Sequence, residues 1–257
     1  MIKKFIKENF AYLLFLTLVG LIGGFFTAIY AMEMTDPDMM AEALAQMGGK
    51  VGYTVVGTIQ TVLYALIFGI LGKYFSVKVG LWSELRFEKS KTVESVLAGL
   101  IGGAVIMLLD AFVFSADAAP EEMKESLLSS LTPSSIIASF TYGGIIEEVM
   151  MRLFLMSLLA ILLWKLFFRR EEAVPASVLI ISNVAVAILF AASHLPATAV
   201  SIGLTPIIVL RCFVLNGSMG LIFGRAYRMH GIHYAMLAHI FAHVGMKLLG
   251  LFVAVLI

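Results

Sequence analysis

Long apolar stretches alternate with short polar connections along the whole chain. They run from Phe10 to Met32, Val51 to Leu71, Ser95 to Ser115, Ser134 to Phe168, Ala176 to Leu195, Pro206 to Gly224 and Tyr234 to Ile257. Crossing roughly 30 Å of hydrocarbon takes about 20 apolar residues of helix, and each stretch is close to that length or beyond it. The pattern predicts an all-α fold, a polytopic transmembrane helical bundle of about seven spans with room for an eighth. The first stretch follows Met1-Ile-Lys-Lys-Phe-Ile-Lys, but it is too long for the apolar region of a signal peptide and has no dominant small-residue cleavage site. It is expected to be a retained anchor.

Composition narrows the picture. Hydrophobic residues make up 61% of the 257 and charged ones 14%, which leaves no length for a separate soluble domain. A formal charge of +1 excludes a strongly basic, nucleic-acid-binding protein, and the single Cys212 excludes an intrachain disulfide framework. Basic residues flank alternate ends of the spans: Lys3, Lys4 and Lys7, then Lys73, Lys78, Arg86, Lys89 and Lys91, then Lys165, Arg169 and Arg170, then Arg225 and Arg228. The other connections are acidic, as at Glu33 to Asp38 and Asp117 to Glu122, or uncharged; outside the spans, only Lys50 and Lys124 break the alternation. Basic flanks stay on the cytoplasmic side, so the expected orientation is N-terminus inside and C-terminus outside. Glycines four apart, Gly20 with Gly24, Gly99 with Gly103 and Gly220 with Gly224, have the spacing that lets helices approach closely in lipid.

The ionisable residues within the spans are Asp110, Glu147, Glu148, Arg152, His194, Arg211, His239, His243 and Lys247. Each is costly in lipid unless it meets a partner or water, which makes it a functional candidate. Asp110, Arg211 and Lys247 are isolated in sequence; pairing with one another or snorkelling would satisfy them. Glu148 and Arg152 share a helical face one turn apart and are expected to form a structural ion pair. Glu147 projects to another side, lacks a helical partner and suits a general base in a low-dielectric cavity. His239 and His243 stand at i, i+4, the spacing at which a helix offers two imidazoles to a metal. His230 and His233 are expected at the membrane interface.

Three ordered motifs, Glu-Glu-x-x-x-Arg at Glu147 to Arg152, Phe-x-x-x-His at Phe190 to His194, and His-x-x-x-His at His239 to His243, resemble those of the CAAX protease and bacteriocin-processing (CPBP, or Abi) family of intramembrane proteases. The resemblance covers roughly residues 140 to 245. It implies N-terminal transmembrane helices over 1–132 and a catalytic helical core over 133–257, packed as one bundle. It further implies cleavage of a peptide bond near the membrane by a catalytic set of Glu147, Glu148, His194, His239 and His243, with Glu147 activating water, His194 and His239 positioning that water or binding a metal, and His243 steadying the oxyanion. The family usually has asparagine where this chain has His243. Either His243 replaces that donor, or it joins His194 and His239 as a third ligand to Zn²⁺; a metal-free, glutamate-activated water is the other route.

The expected partners are the lipid bilayer and a membrane-associated or lipidated peptide or protein, in the plasma membrane of a prokaryote, with no role for nucleic acid. A proton-coupled transporter would also carry intramembrane Glu, His and Arg, and a peptide-binding or immunity protein would keep the same motif order without cutting. One geometric tension stands out. Counting about 1.5 Å per residue, Glu147 and His194 fall in the outer half of the bilayer and His239 in the inner half. For one site to form, a helix must break or start deeper, with Leu195-Pro196 and Gly231-Ile232 the places to look.

Overall fold

The computed structural model describes residues 2–115 and 120–256. The acidic connection beginning at Asp117 lies in part outside the described residues, as does Ile257 at the end of the last apolar stretch. The fold is 87% helical, with no strand among the described residues. Among the described residues, seven helices are long and apolar enough to cross a membrane: Phe10–Met34, Gly49–Lys78, Lys89–Phe114, Pro133–Phe167, Ala176–Ile202, Pro206–His230 and Ile232–Leu256. The protein is an integral membrane protein. Large apolar side chains such as Phe10, Val51, Ile101 and Phe252 face outward, as a lipid-facing surface requires, while Leu16, Ile146, Val178 and Ala235 fill the interior.

Helix starts follow local chemistry. Thr132 accepts a hydrogen bond from the Ser135 N–H, Thr205 accepts one from Ile208, and a proline opens the first turn after each, the arrangement that satisfies orphan amides at a helix N-terminus. Short helices at Ile2–Glu8, Pro37–Gln46 and Pro120–Ser129 occupy the ends of the bundle.

The expected glycine pairs are helix contacts. A Cβ on Gly24 would lie 2.7 Å from the Thr58 Cα, one on Gly103 2.8 Å from the Ala242 carbonyl carbon, and one on Gly220 3.0 Å from the Ala187 Cα. The first span thus packs on the second, the third on the seventh and the sixth on the fifth. The second and seventh spans also pack on the fourth, so segments from the two halves of the chain are interleaved around it.

Two departures from a regular helix matter for the site. The fourth span is α-helical at Pro133–Ala138 and Ser157–Phe167 but π-helical over Ser139–Glu147 and Val149–Met156. Such wide turns are rare and frequent at functional positions. The fifth span is broken: one helix ends at Ser193, His194 stands at the junction, and a second helix begins at Leu195 with Pro196 in its first turn.

The seventh span begins abruptly after the sixth. Gly231, at φ 107°, turns the chain within one residue between the sixth and seventh helices, a backbone conformation that favours glycine. The new helix starts inside the protein, with Ile232, His233, Tyr234 and Ala235 all buried. The Tyr234 hydroxyl donates to the Arg86 carbonyl at 3.1 Å and accepts from the Glu88 N–H at 2.7 Å, while His233 Nε2 lies 3.0 Å from the same carbonyl. His233 is therefore buried by protein at this end of the bundle, against the connection that carries Arg86. His230 stays near the surface, 3.0 Å from Glu94.

Candidate active site

The fourth span brings its charged groups to the middle of the bundle. Glu148 and Arg152 are both fully buried, and Arg152 Nη1 lies 3.0 Å from Glu148 Oε1, one helical turn apart as the spacing predicts. The guanidinium is further held by the Gly220 carbonyl, which accepts from Nη2 at 3.2 Å, and by ring faces, with its central carbon 4.4 Å from the Phe190 centroid and 5.4 Å from that of Phe223. Planar, delocalised arginine suits such stacking. This ion pair spans three helices rather than serving one.

The same carboxylate oxygen, Glu148 Oε1, lies 2.8 Å from His239 Nδ1 on the seventh span. With the oxygen accepting, Nδ1 carries the proton and His239 Nε2 keeps its lone pair. The His239 ring lies nearly parallel to Phe223, with centroids 4.2 Å apart, and to His243 on its other side, at 5.0 Å. His194 is fixed in a similar way: its Nδ1 lies 2.7 Å from the Phe190 carbonyl, and its ring meets the Phe190 ring edge-on at 4.7 Å. Phe190 also contacts the His239 ring at 5.9 Å. The break at His194 and the inset start at Ile232 together set the two imidazoles around one phenylalanine.

Span 7 approaches the fourth span over Gly143 and Gly144. A Cβ on Gly143 would stand 2.8 Å from His243 Nε2, and one on Gly144 would run into Ile240. These two glycines were not singled out as site residues. Their position four residues before Glu147 and Glu148 was the available signal, since only absent side chains let the histidine helix this close.

Three observations bear on the expected site. Glu148, read as neutralised by Arg152, also makes the direct contact to His239, because one carboxylate oxygen can face both a guanidinium on its own helix and an imidazole across the bundle. Glu147, expected to meet a group on another helix, makes no hydrogen bond or ion pair with the described residues and is partly buried. No three His, Cys, Asp or Glu residues among those described are grouped so as to hold a metal ion. His239 and His243 stack with their ring centroids 5.0 Å apart, and Nδ1 of His239 faces the Glu148 carboxylate. No step below is routed through a metal.

The remaining intramembrane charges are placed simply. Arg211 grips Asp110 through two hydrogen bonds, Nε to Oδ1 at 2.5 Å and Nη2 to Oδ2 at 2.6 Å, tying the sixth span to the π-turn Asp110–Phe114 of the third. Lys247 donates to the Ser130 carbonyl at 2.5 Å and the Ser135 hydroxyl at 2.9 Å.

A polytopic helical membrane protein with a buried carboxylate, guanidinium and imidazole cluster drawn from separate spans is the class these observations define. Residues 129–245, just under half of the chain, match the sequence model of the family described as Type II CAAX prenyl endopeptidase Rce1-like. That match supports a CAAX-protease-type intramembrane endopeptidase at family level. No curated protein and no solved structure matches the chain.

Proposed function

We propose that the chain hydrolyses a peptide bond of a lipidated, membrane-bound peptide, with Glu147 as general base. The observation that carries this reading is the 2.8 Å contact of Glu148 with His239, which joins the first and last motifs of the family segment into one buried cluster. Glu148 is engaged by Arg152 and His239 through one oxygen, which leaves Glu147, outside that pairing, for the chemistry. A carboxylate with no counterion in a low-dielectric site is a competent base near neutral pH.

In the proposed reaction Glu147 takes a proton from water as the water oxygen bonds to the scissile carbonyl carbon. The tetrahedral oxyanion accepts a hydrogen bond from His243. The C–N bond then breaks, and Glu147 returns its proton to the leaving amine. His194 and His239 orient the water through the Nε2 atoms left free by their Nδ1 contacts.

The family description points to a C-terminal Cys-a-a-X substrate whose cysteine carries a prenyl chain, cut after that cysteine. We place the protein in a prokaryotic plasma membrane, N-terminus inside and C-terminus outside, on the distribution of lysine and arginine. The test is purified protein in lipid nanodiscs presented with a library of prenylated and unprenylated peptides, with products read by mass spectrometry. Release of a C-terminal tripeptide from prenylated members supports the reading; an intact library at high enzyme concentration opposes it.

A further inference from the structure

The first, second and fourth spans leave a cavity of about 240 Å³ between them. Its polar lining is Thr27 of the first span, Tyr53, Gln60, Thr61 and Tyr64 of the second, and Tyr142 of the fourth. Met47, the residue after the Pro37–Gln46 helix, also lines it, so the cavity reaches that end of the bundle. Close helix contacts frame it: a Cβ on Gly24 would lie 2.9 Å from the Thr61 Cβ, and one on Gly23 3.3 Å from the Tyr142 amide nitrogen. Of the polar lining only Tyr142 falls in the segment that matches the family model.

Lipid offers such a lining no hydrogen bonds. Gln60, at the open side of the cavity, lies eleven residues into the second span, about 16 Å along its axis, which is near the middle of a hydrocarbon layer roughly 30 Å thick. Its amide donates to the Tyr64 hydroxyl at 2.5 Å. The buried Thr27 hydroxyl has no hydrogen-bond partner among the described residues. Polar groups at this depth persist where they face one another or water. At about 30 Å³ per molecule the cavity has room for roughly eight waters, and the hydroxyls around it are the partners such waters need. Tyr142 joins the cavity to the candidate site. It stands five residues before Glu147 in the π-helical segment Ser139–Glu147, where five residues close one hydrogen-bonded turn, and the Glu147 carboxylate is near enough for its charge to act on the Tyr142 hydroxyl.

We propose that this cavity is a hydrated crevice that carries water from the end of the bundle at Met47 to Glu147. The inference rests on the reading of Glu147 as the base, which consumes one water for each bond cut, and it adds the route by which that water arrives. It gives the N-terminal spans a part in the reaction: the first and second form the walls of the crevice, and Tyr142 of the fourth forms its inner end.

The test is cysteine accessibility in the full chain, held in nanodiscs, on a Cys212→Ala background. The probe is a small charged methanethiosulfonate, which reacts with the thiolate and so needs water at the thiol. Gln60→Cys should react at least about tenfold faster than Ile59→Cys and Leu63→Cys, which flank it in depth and face outward. Glu147→Cys should also react, and adding Gly57→Leu should slow that reaction by at least about tenfold. Gly57 lines the cavity, and a Cβ there meets Ala28 at an ordinary 3.6 Å, so the leucine fills the crevice without forcing the helices apart. Gln60→Leu, at an exposed position, is the second plug and should act in the same direction. In the otherwise wild-type chain either plug should slow single-turnover cleavage of the prenylated peptide while Glu147→Gln binds that peptide equally well with and without the plug. Gln60→Cys reacting no faster than its two neighbours, an inert Glu147→Cys, or a Glu147→Cys rate untouched by both plugs overturns the proposal. The expected labelling with no cleavage by wild type keeps the crevice and removes the endopeptidase reading; cleavage at one rate by wild type and both plugged variants keeps that reading and removes the crevice as its water route.

Discussion

Arg152→Met removes the guanidinium from a buried ion pair with Glu148. Both partners of the ion pair are fully buried, so the variant strands Glu148 beside His239 with its second oxygen, Oε2, already lacking a hydrogen bond among the described residues. Breaking a buried pair by deleting one partner costs on the order of 3 to 5 kcal/mol, most of it for the charge left behind. Loss of the ring contacts with Phe190 and Phe223 and of the bond to the Gly220 carbonyl adds to that cost. At roughly 2 to 4 °C per kcal/mol for a chain approaching this size, the apparent Tm should fall by about 10 °C. The assay is thermal unfolding of detergent-purified protein, followed by tryptophan fluorescence and by monodispersity on gel filtration. Glu148→Gln in the Arg152→Met background removes the stranded charge and should recover more than half of the loss, although it destabilises the wild type. An Arg152→Met variant with unchanged Tm, or a double variant as unstable as the sum of its parts, would refute the claim that the two charges form one coupled unit.

Other parts of the fold make their own predictions. Gly103→Val should lower the yield of monodisperse protein sharply, since its Cβ would overlap the Ala242 backbone of the seventh span, whereas Gly48→Ala, in open space but at φ 77°, should cost only about 1 to 2 kcal/mol in thermal stability. Asp110→Asn should lower Tm by leaving Arg211 without its carboxylate, and Asp110→Asn with Arg211→Gln should restore part of it. If His243 serves as a hydrogen-bond donor to the oxyanion, His243→Asn should retain at least about a tenth of the wild-type kcat, and elemental analysis of the purified protein should show the same metal content before and after the substitution. Stoichiometric zinc that is lost in His243→Asn would restore the three-histidine ligand set.

The seven spans were legible because lipid imposes one requirement on every helix, and long apolar runs meet it openly. The site residues stood out for the converse reason: Glu147, Glu148, Arg152 and the histidines are conspicuous where charges are expensive. Their mutual arrangement was harder to read. The Glu148–Arg152 pair follows from spacing within one helix, but the Glu148–His239 contact depends on how deep the seventh span starts, which is set by Gly231 and by the burial of Tyr234 against the Arg86 carbonyl. Pro196 and Gly231 marked the two places where regular helices had to fail, and both do. The π-helical turns around Glu147 and Glu148 left no trace in the apolar pattern, because hydrophobicity around a buried helix does not report which hydrogen-bond register its backbone adopts. Nor could spacing reveal that His239 and His243, neighbours on one face, stack their rings.

The central claim, that Glu147 is the base and Glu148 its fixed neighbour, is tested most directly by single-turnover cleavage of the prenylated peptide by wild type, Glu147→Gln and Glu148→Gln at matched folded concentrations, in water enriched in oxygen-18. Wild type should release the tripeptide and place one heavy oxygen in the new carboxylate of the cysteine fragment. Glu147→Gln should unfold at the wild-type temperature and cleave about 10² to 10⁴ times more slowly, whereas Glu148→Gln should lose thermal stability along with rate. A Glu147→Gln variant that cleaves at the wild-type rate while Glu148→Gln folds normally and is inactive would contradict the account and move the base to Glu148.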